Sequence, residues 1–234
     1  MPLRAITYRV RPGHDEQIAE IFSPENFTRA DSPVLRDEHG DTIGYLTATS
    51  LFLCGDVMVR IIQHDGGTPQ DIARHMAGQD GVRDAERAIA PYLAAPRDTD
   101  TVDGFLAHFT RSSMRTLHLD AVDNRPAAGI VALLYRIHGG RQDEVAASFV
   151  RLAHRDRLAP TPDGTVIAVG VFLLEDTVVL AVQHDGRPDA EAIAVAATRY
   201  EPALAPWLTP HLTEPWAAGV TMRCISRLSA AQTL

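Results

Sequence analysis

The tetrapeptide Gln63-His64-Asp65-Gly66 returns as Gln183-His184-Asp185-Gly186, and both copies sit inside longer matching blocks. Leu51-Phe52-Leu53 through Val59 resembles Val171-Phe172-Leu173 through Val179. Upstream, Tyr8-Arg9-Val10 followed by Gly13, Glu16, Ile18, Ala19 and Phe22 matches Tyr135-Arg136-Ile137 followed by Gly140, Asp143, Val145, Ala146 and Phe149. Downstream, Ile89-Ala90-Pro91-Tyr92-Leu93 matches Leu204-Ala205-Pro206-Trp207-Leu208. Three blocks in the same order are the mark of a duplication. The chain is therefore expected to contain two related units, over 1–122 and 130–234, joined by a linker at 123–129.

Periodicity within one copy assigns its elements. Leu3 to Val10 mixes β-branched and aromatic residues and stops at Pro12-Gly13, as a strand does. His14 to Phe22 spaces Ile18, Ile21 and Phe22 as on one helix face, with Asp15 and Glu16 in the dipole-favoured first turn. Ile43 to Leu53 and Val57 to Ile62 are apolar runs separated by Gly55-Asp56, a hairpin signal. Thr68-Pro69 then starts a helix running toward Ala90, with a weak point at Gly78 or Gly81. The stretch Ala95 to Thr110 reads as an excursion, and Met114 to Val122 as the last strand. The second copy repeats the order over Ile130–Ile137, Gln142–Leu152, Thr165–Leu174, Val178–Gln183, Ala190–Ala203 and Val220–Ile225. Each copy thus reads βαββαβ, and the fold class is α+β, tandem ferredoxin-like repeats. One sheet face of such a unit needs a cover, so the copies are expected to pair as a dimeric α+β barrel-like pseudo-dimer within one chain.

Composition narrows the function. A formal charge of −8 argues against nucleic acid as a partner, because neutralising phosphates needs clustered cations. No lysine occurs, which removes Schiff-base, pyridoxal phosphate and Walker-lysine chemistry from this chain, although a GC-rich coding sequence accounts for the absence. Cys54 and Cys224 stand alone, so neither a zinc site nor a disulfide framework is expected. No run approaches the roughly 18 apolar residues of a membrane span, and no signal peptide opens the chain; a cytoplasmic protein is expected.

Leu3-Arg4-Ala5-Ile6 at the start, the Gly55-Asp56-Val57-Met58-Val59-Arg60 hairpin and the Gln63-His64-Asp65-Gly66 strand end together resemble the SchA/CurD-like domain family of aromatic polyketide biosynthesis. A weaker similarity is to the tetracenomycin-type polyketide cyclases. What the resemblance implies is a role in spore-pigment or antibiotic polyketide assembly, with an aromatic polyketide as small-molecule partner. Polyketide synthase components and a homo-oligomer stay open as further partners.

Four residues are candidates for chemistry. Arg60 stands in a strand where the second copy has Leu180, and a charge replacing a hydrophobe needs a reason. If the Met58, Arg60, Ile62 face looks into the barrel, the guanidinium can hold an enolate or phenolate oxygen; on an exposed edge it is a solvated charge. His118 alternates with Met114 and Thr116 in the fourth strand and is placed in the same cavity, against a buried histidine satisfied by a neighbour. His64 is a proton carrier or part of a strand-to-loop turn. His14 opens the first helix as a surface residue or a neutral base at the cavity mouth. Tyr8 and Tyr135 read as core anchors, and Ser23 to Asp41 as a lid. Gly-x-Gly-x-x-Gly, HExxH and Gly-x-Ser-x-Gly are missing, so neither cofactor nor metal is expected. The reading is a cofactor-independent cyclase or aromatase, with a cofactor-free oxygenase and a noncatalytic chaperone as alternatives.

Overall fold

The computed structural model describes residues 3–27, 32–122, 129–150, 158–214 and 218–229. The first repeat runs β1 (Leu3–Arg9), α1 (Asp15–Ile21), β2 (Val34–Arg36), β3 (Thr42–Cys54), β4 (Val57–Gly66), α2 (Pro69–Ala77), α3 (Asp80–Ile89), α4 (Val102–Ser112) and β5 (Arg115–Ala121). The second runs β6 (Gly129–Arg136), α5 (Gln142–Val150), β7 (Val166–Leu174), β8 (Thr177–His184), α6 (Asp189–Val195), α7 (Glu201–Leu208), β9 (Val220–Thr221) and β10 (Arg223–Ser229). Both repeats are α+β and ferredoxin-like, each built on an antiparallel sheet. Among the described residues, no helix is long and apolar enough to cross a membrane.

The duplication is visible in the register. His64 pairs with Leu46 and Gln63 with Ala48 across a bulge; His184 pairs with Val166 and Gln183 with Ala168 across the same bulge. Both β-hairpins turn on a positive-φ residue, Gly55 at 58° in the first repeat and Glu175 at 51° in the second. Glycine takes that backbone freely, whereas glutamate is strained there. Each turn is held by an arginine on the first strand: Arg9 donates to Asp56 and Arg136 to Asp176.

Repeat boundaries and compact units do not coincide. One sheet has the order β1-β4-β3-β10, with β2 also on β3, and the other β5-β7-β8-β6-β9. The fourth strand of each repeat therefore completes the sheet of the other. The compact units divide at Ser113/Met114 and Met222/Arg223, not at 122 and 130. One unit, termed the N unit, holds β1–β4, α1–α4 and β10; the other, the C unit, holds β5–β9 and α5–α7. Each exchanged strand still starts at its own sheet, because Ser113 bridges Ile6 and Val220-Thr221 pair with Leu134 and Leu133. Of the linker expected at 123–129, residues 123–128 lie outside the described residues and Gly129 already belongs to β6.

Two further expectations change. The excursion at Ala95–Thr110 contains α4, which Thr101 caps by accepting from the Gly104 amide and which buries Phe105 and Phe109 on one face. The lid expected at Ser23–Asp41 falls partly on residues 28–31, outside the described residues; beyond them, β2 pairs with β3 and anchors the segment through the fully buried Leu35, while Glu38–Asp41 are exposed.

The N-unit core lies between its sheet and its helices. Ile6, Tyr8, Met58 and Ile62 point from the strands toward Ile18, Phe22, Ile72 and Ile89. The long helix expected from Thr68 to Ala90 breaks at Gly78, giving α2 and α3. Thr68 and Asp71 form a reciprocal capping box at its start. An equivalent core in the C unit gathers Val131, Tyr135, Val145, Leu180, Tyr200 and Leu204.

Candidate active site

Arg60 occupies the middle of β4 and is only 6% exposed. Its side chain lies on the Met58 and Ile62 face, which packs on the helices of its own unit. The strand alternation that makes this face apolar thus delivers one cation into the hydrophobic layer. The guanidinium carbon lies 5.6 Å from the Phe22 ring centroid and 5.9 Å from that of Phe27. Arg60 Nη1 reaches Thr49 Oγ1 at 3.5 Å and the side chain also hydrogen-bonds with Tyr8, while Nε has no hydrogen-bond partner among the described residues.

Five more polar side chains complete the cluster. Arg97, with a buried side chain, forms an ion pair with Glu86, itself 6% exposed on α3. Arg97 also covers the Tyr8 ring at 4.5 Å and donates from Nη1 to His108 Nε2 at 2.6 Å. Arginine has no acceptor, so His108 Nε2 must be the unprotonated nitrogen of a neutral ring. The Tyr8 and His108 rings stack at 5.4 Å, and Ser112 Oγ lies 3.2 Å from the same His108 nitrogen.

The electrostatics follow from burial. His108 is held down to about 3, first by desolvation and then by Arg97 and Arg111. Tyr8 is pushed up to about 12 by desolvation and by Glu86, against opposing pulls from Arg60 and Arg97. Burial also raises the Glu86 carboxyl, while Arg97 and Arg60 favour its ionised form. Beside this cluster, a hollow of about 340 Å³ opens between α1 and α3. It is lined by Glu20, Ile21, Asn26, Phe27, Ala85 and Ala88 among others. Phe27 is shared, lining the hollow while its ring lies over Arg60.

The other three sequence candidates fall elsewhere. His118 is on β5, in the C-unit sheet, where Nε2 lies 3.3 Å from the Leu158 carbonyl. The strand exchange thus puts His118 on a different sheet from Arg60. The matching bulges, Thr116/His118 against β7 and Cys224/Ser226 against β3, make Ser226 its counterpart. His64 shares the Arg60 face but is buried at the strand end, its Nδ1 2.8 Å from the Gly66 carbonyl. His14 is at the α1 N-cap position with its ring 5.3 Å from Tyr92.

Glu86, Arg97 and His108 were not singled out from the sequence. For Glu86 a signal existed: the offset that aligns Ile89–Leu93 with Leu204–Leu208 also aligns Glu86 with Glu201. In the C unit, the Tyr135 hydroxyl donates to Glu201 at 2.9 Å, and the Gly219 amide donates to the same carboxylate oxygen. A tyrosine–glutamate pair therefore occupies the same place in both repeats. Desolvation and the bonded Glu201 drive the Tyr135 hydroxyl well above its ordinary value. Among the described residues, no group of three or more potential metal ligands assembles.

Comparison with known proteins places this architecture. The chain is 36% identical over 188 residues to the 42.8 kDa protein in the whiE locus of Streptomyces coelicolor, covering 79% of this chain and 44% of that protein. It is 29% identical over 201 residues to the polyketide synthase CurD of Streptomyces cyaneus, covering 81% and 49%. The chain spans about half the length of the curated relatives it matches. Among solved structures, an uncharacterized ferredoxin fold protein from Listeria monocytogenes, related to antibiotic biosynthesis monooxygenases, aligns with a TM-score of 0.39 and 9% identity, over 95% of this chain and 93% of that one. The family described as SchA/CurD like domain matches residues 1–122, more than half of the sequence, and the chain belongs to that family.

Proposed function

We propose that this chain acts in aromatic polyketide biosynthesis as a cofactor-independent cyclase or aromatase, with its reaction centre in the N unit. One observation carries the reading: a buried arginine, Arg60, with an unmet donor, set among aromatic rings beside a hollow large enough for a ring-sized ligand. The name of the relative CurD supports the substrate class. Poly-β-ketones are acidic at the carbon between two carbonyls, so ring closure needs a base, an anion stabiliser and a shaped apolar wall.

The cluster supplies each part. The Glu86 carboxylate, made more basic by burial, takes the proton from the carbon between two ketones. Arg60 holds the anionic oxygen of the substrate beside the reacting carbon, in a layer where water does not compete. The enolate carbon attacks a second carbonyl, the resulting alkoxide takes up the proton, and loss of water completes the aromatic ring. Phe22 and Phe27 hold the folded chain by their faces. Arg97 fixes Glu86 and keeps His108 neutral.

The test is Arg60→Leu, which installs the residue found at the equivalent position of the second repeat. Leu180 is fully buried at that position, and Glu86 keeps Arg97 as its partner in the variant, so the fold should be retained. Turnover of a polyketone by the folded variant should fall by at least about tenfold, or roughly 1.4 kcal/mol of transition-state stabilisation. Full activity in the folded variant sinks the assignment. Oxygen uptake in step with product formation assigns oxygenation instead of cyclisation.

A further inference from the structure

The charges of the N-unit cluster do not cancel. Arg60 and Arg97 are both buried, and arginine cannot discharge itself by losing a proton. Among the described residues one carboxylate, Glu86 on α3, faces them, and it is already bound to Arg97. Around them stand Tyr8 on β1, whose hydroxyl stays protonated, His108 on α4, whose ring is neutral, and Arg111 on α4, a further cation acting on His108. Among the described residues two buried cations thus share one carboxylate, and Arg60 Nε has no hydrogen-bond partner. A buried charge left in this state is costly, and nothing in the fold requires it, since the sister repeat fills the position with a fully buried Leu180.

We infer that the centre is a recognition site for an aromatic ligand that arrives already carrying an ionised oxygen acid, with Arg60 as its counter-ion. The inference rests on the cyclase reading for the location of the site but adds the substrate class. An oxyanion formed only in the transition state would leave the cation uncompensated through the whole resting cycle, whereas an anionic substrate neutralises it on binding. The ligand is then a free acid or an ionised enol rather than a neutral ester or thioester. Phe27 lines the hollow and has the guanidinium over its ring, so an aromatic ligand in the hollow meets an aromatic wall beside the cation. Glu20 and Asp84 at the rim of the hollow are exposed, and water and salt screen them; Asp84 is further paired with Arg87.

Calorimetric titration of the whole chain with small probes tests this without requiring turnover. The probes are 2-naphthoate, the ionised 2,4-dinitro-1-naphtholate, and neutral methyl 2-naphthoate. At least one anion should bind at least tenfold tighter than the neutral ester. Preference for naphthoate assigns a carboxylate, and preference for the naphtholate assigns an ionised enol. The preference should vanish in Arg60→Leu and persist in Arg60→Lys, which keeps the charge; near-UV circular dichroism shows that both fold. Equal binding of anion and ester, a preference that survives Arg60→Leu, or no binding of either anion overturns the inference. Because the readout is binding, loss of the cyclase reading in a turnover assay leaves this result interpretable, and the reverse also holds.

Discussion

The two units treat the same buried pair in opposite ways. In the C unit, Tyr135 donates directly to Glu201, the Gly219 amide fills the same oxygen, and Leu180 closes the layer with an apolar side chain. In the N unit, Tyr8 and Glu86 are joined by Arg60 from the strand, Arg97 from the segment before α4 and His108 from α4 itself. A buried tyrosine–glutamate bond is a satisfied structural device. The same pair surrounded by permanent cations is a site under electrostatic tension, which is the condition for chemistry or binding. The difference lies in what surrounds a shared element, here one strand position and one helical segment that the second repeat lacks among the described residues.

The largest expected effect that would break this comparison comes from the carboxylates. Glu86→Ala leaves two buried guanidinium groups without an anion and should cost about 3–5 kcal/mol of stability. Glu201→Ala leaves a hydroxyl and an amide unpaired, at about 1–3 kcal/mol. Urea unfolding of the two variants measures both, and equal losses would mean that the N-unit cluster is no more strained than the C-unit pair. Removing Glu86 and Arg97 together, as Leu and Met, should recover part of the loss.

A smaller effect sharpens the C-unit side. A Cβ at position 219 would stand 2.6 Å from Tyr135 Cζ and 2.9 Å from Glu201 Oε1. Gly219→Ala should therefore destabilise by about 1–3 kcal/mol through overpacking. It should leave probe binding at Arg60 unchanged; a variant as stable as the parent in thermal unfolding would show that this glycine does not close the pair.

A further effect is a pH dependence carried by the N-unit histidine His108. His108 is held near 3 when folded and titrates near 6.5 when unfolded, so between these values the unfolded chain binds the additional proton. Its contribution to stability is thus present above about 6.5 and is lost as pH falls toward 3. His108→Gln should flatten the stability-versus-pH curve in that interval, and a slope unaltered by the substitution would show that another group sets it.

Much of the fold was legible because local chemistry decided it. The Gly55-Asp56 turn, the Thr68-Pro69 helix start and the break near Gly78 are properties of adjacent residues, and the duplication is written in matching blocks. The strand exchange was not legible, since an alternating strand such as Arg115–Ala121 has the same pattern at whichever sheet edge it pairs. Nor was α4, whose two buried phenylalanines lie in a stretch rich in aspartate and threonine. Arg60 stood out because the repeat supplied its apolar counterpart. Glu86 and Arg97 did not, because a charge on a helix or loop reads as solvated until tertiary structure buries it.

The exchange of fourth strands also sets a timetable for biosynthesis. The edge of β3 that receives β10 is made early, while β10 is made only after the entire C unit. At ordinary rates of translation the interval is on the order of ten seconds, long compared with the collapse of a small domain. During it the N unit presents an unpaired strand with open backbone donors and acceptors, a template for any extended segment nearby. A nascent chain of this kind can sample neighbours before it meets its own last strand, so a β10 peptide added in trans should compete for that edge only while synthesis is incomplete.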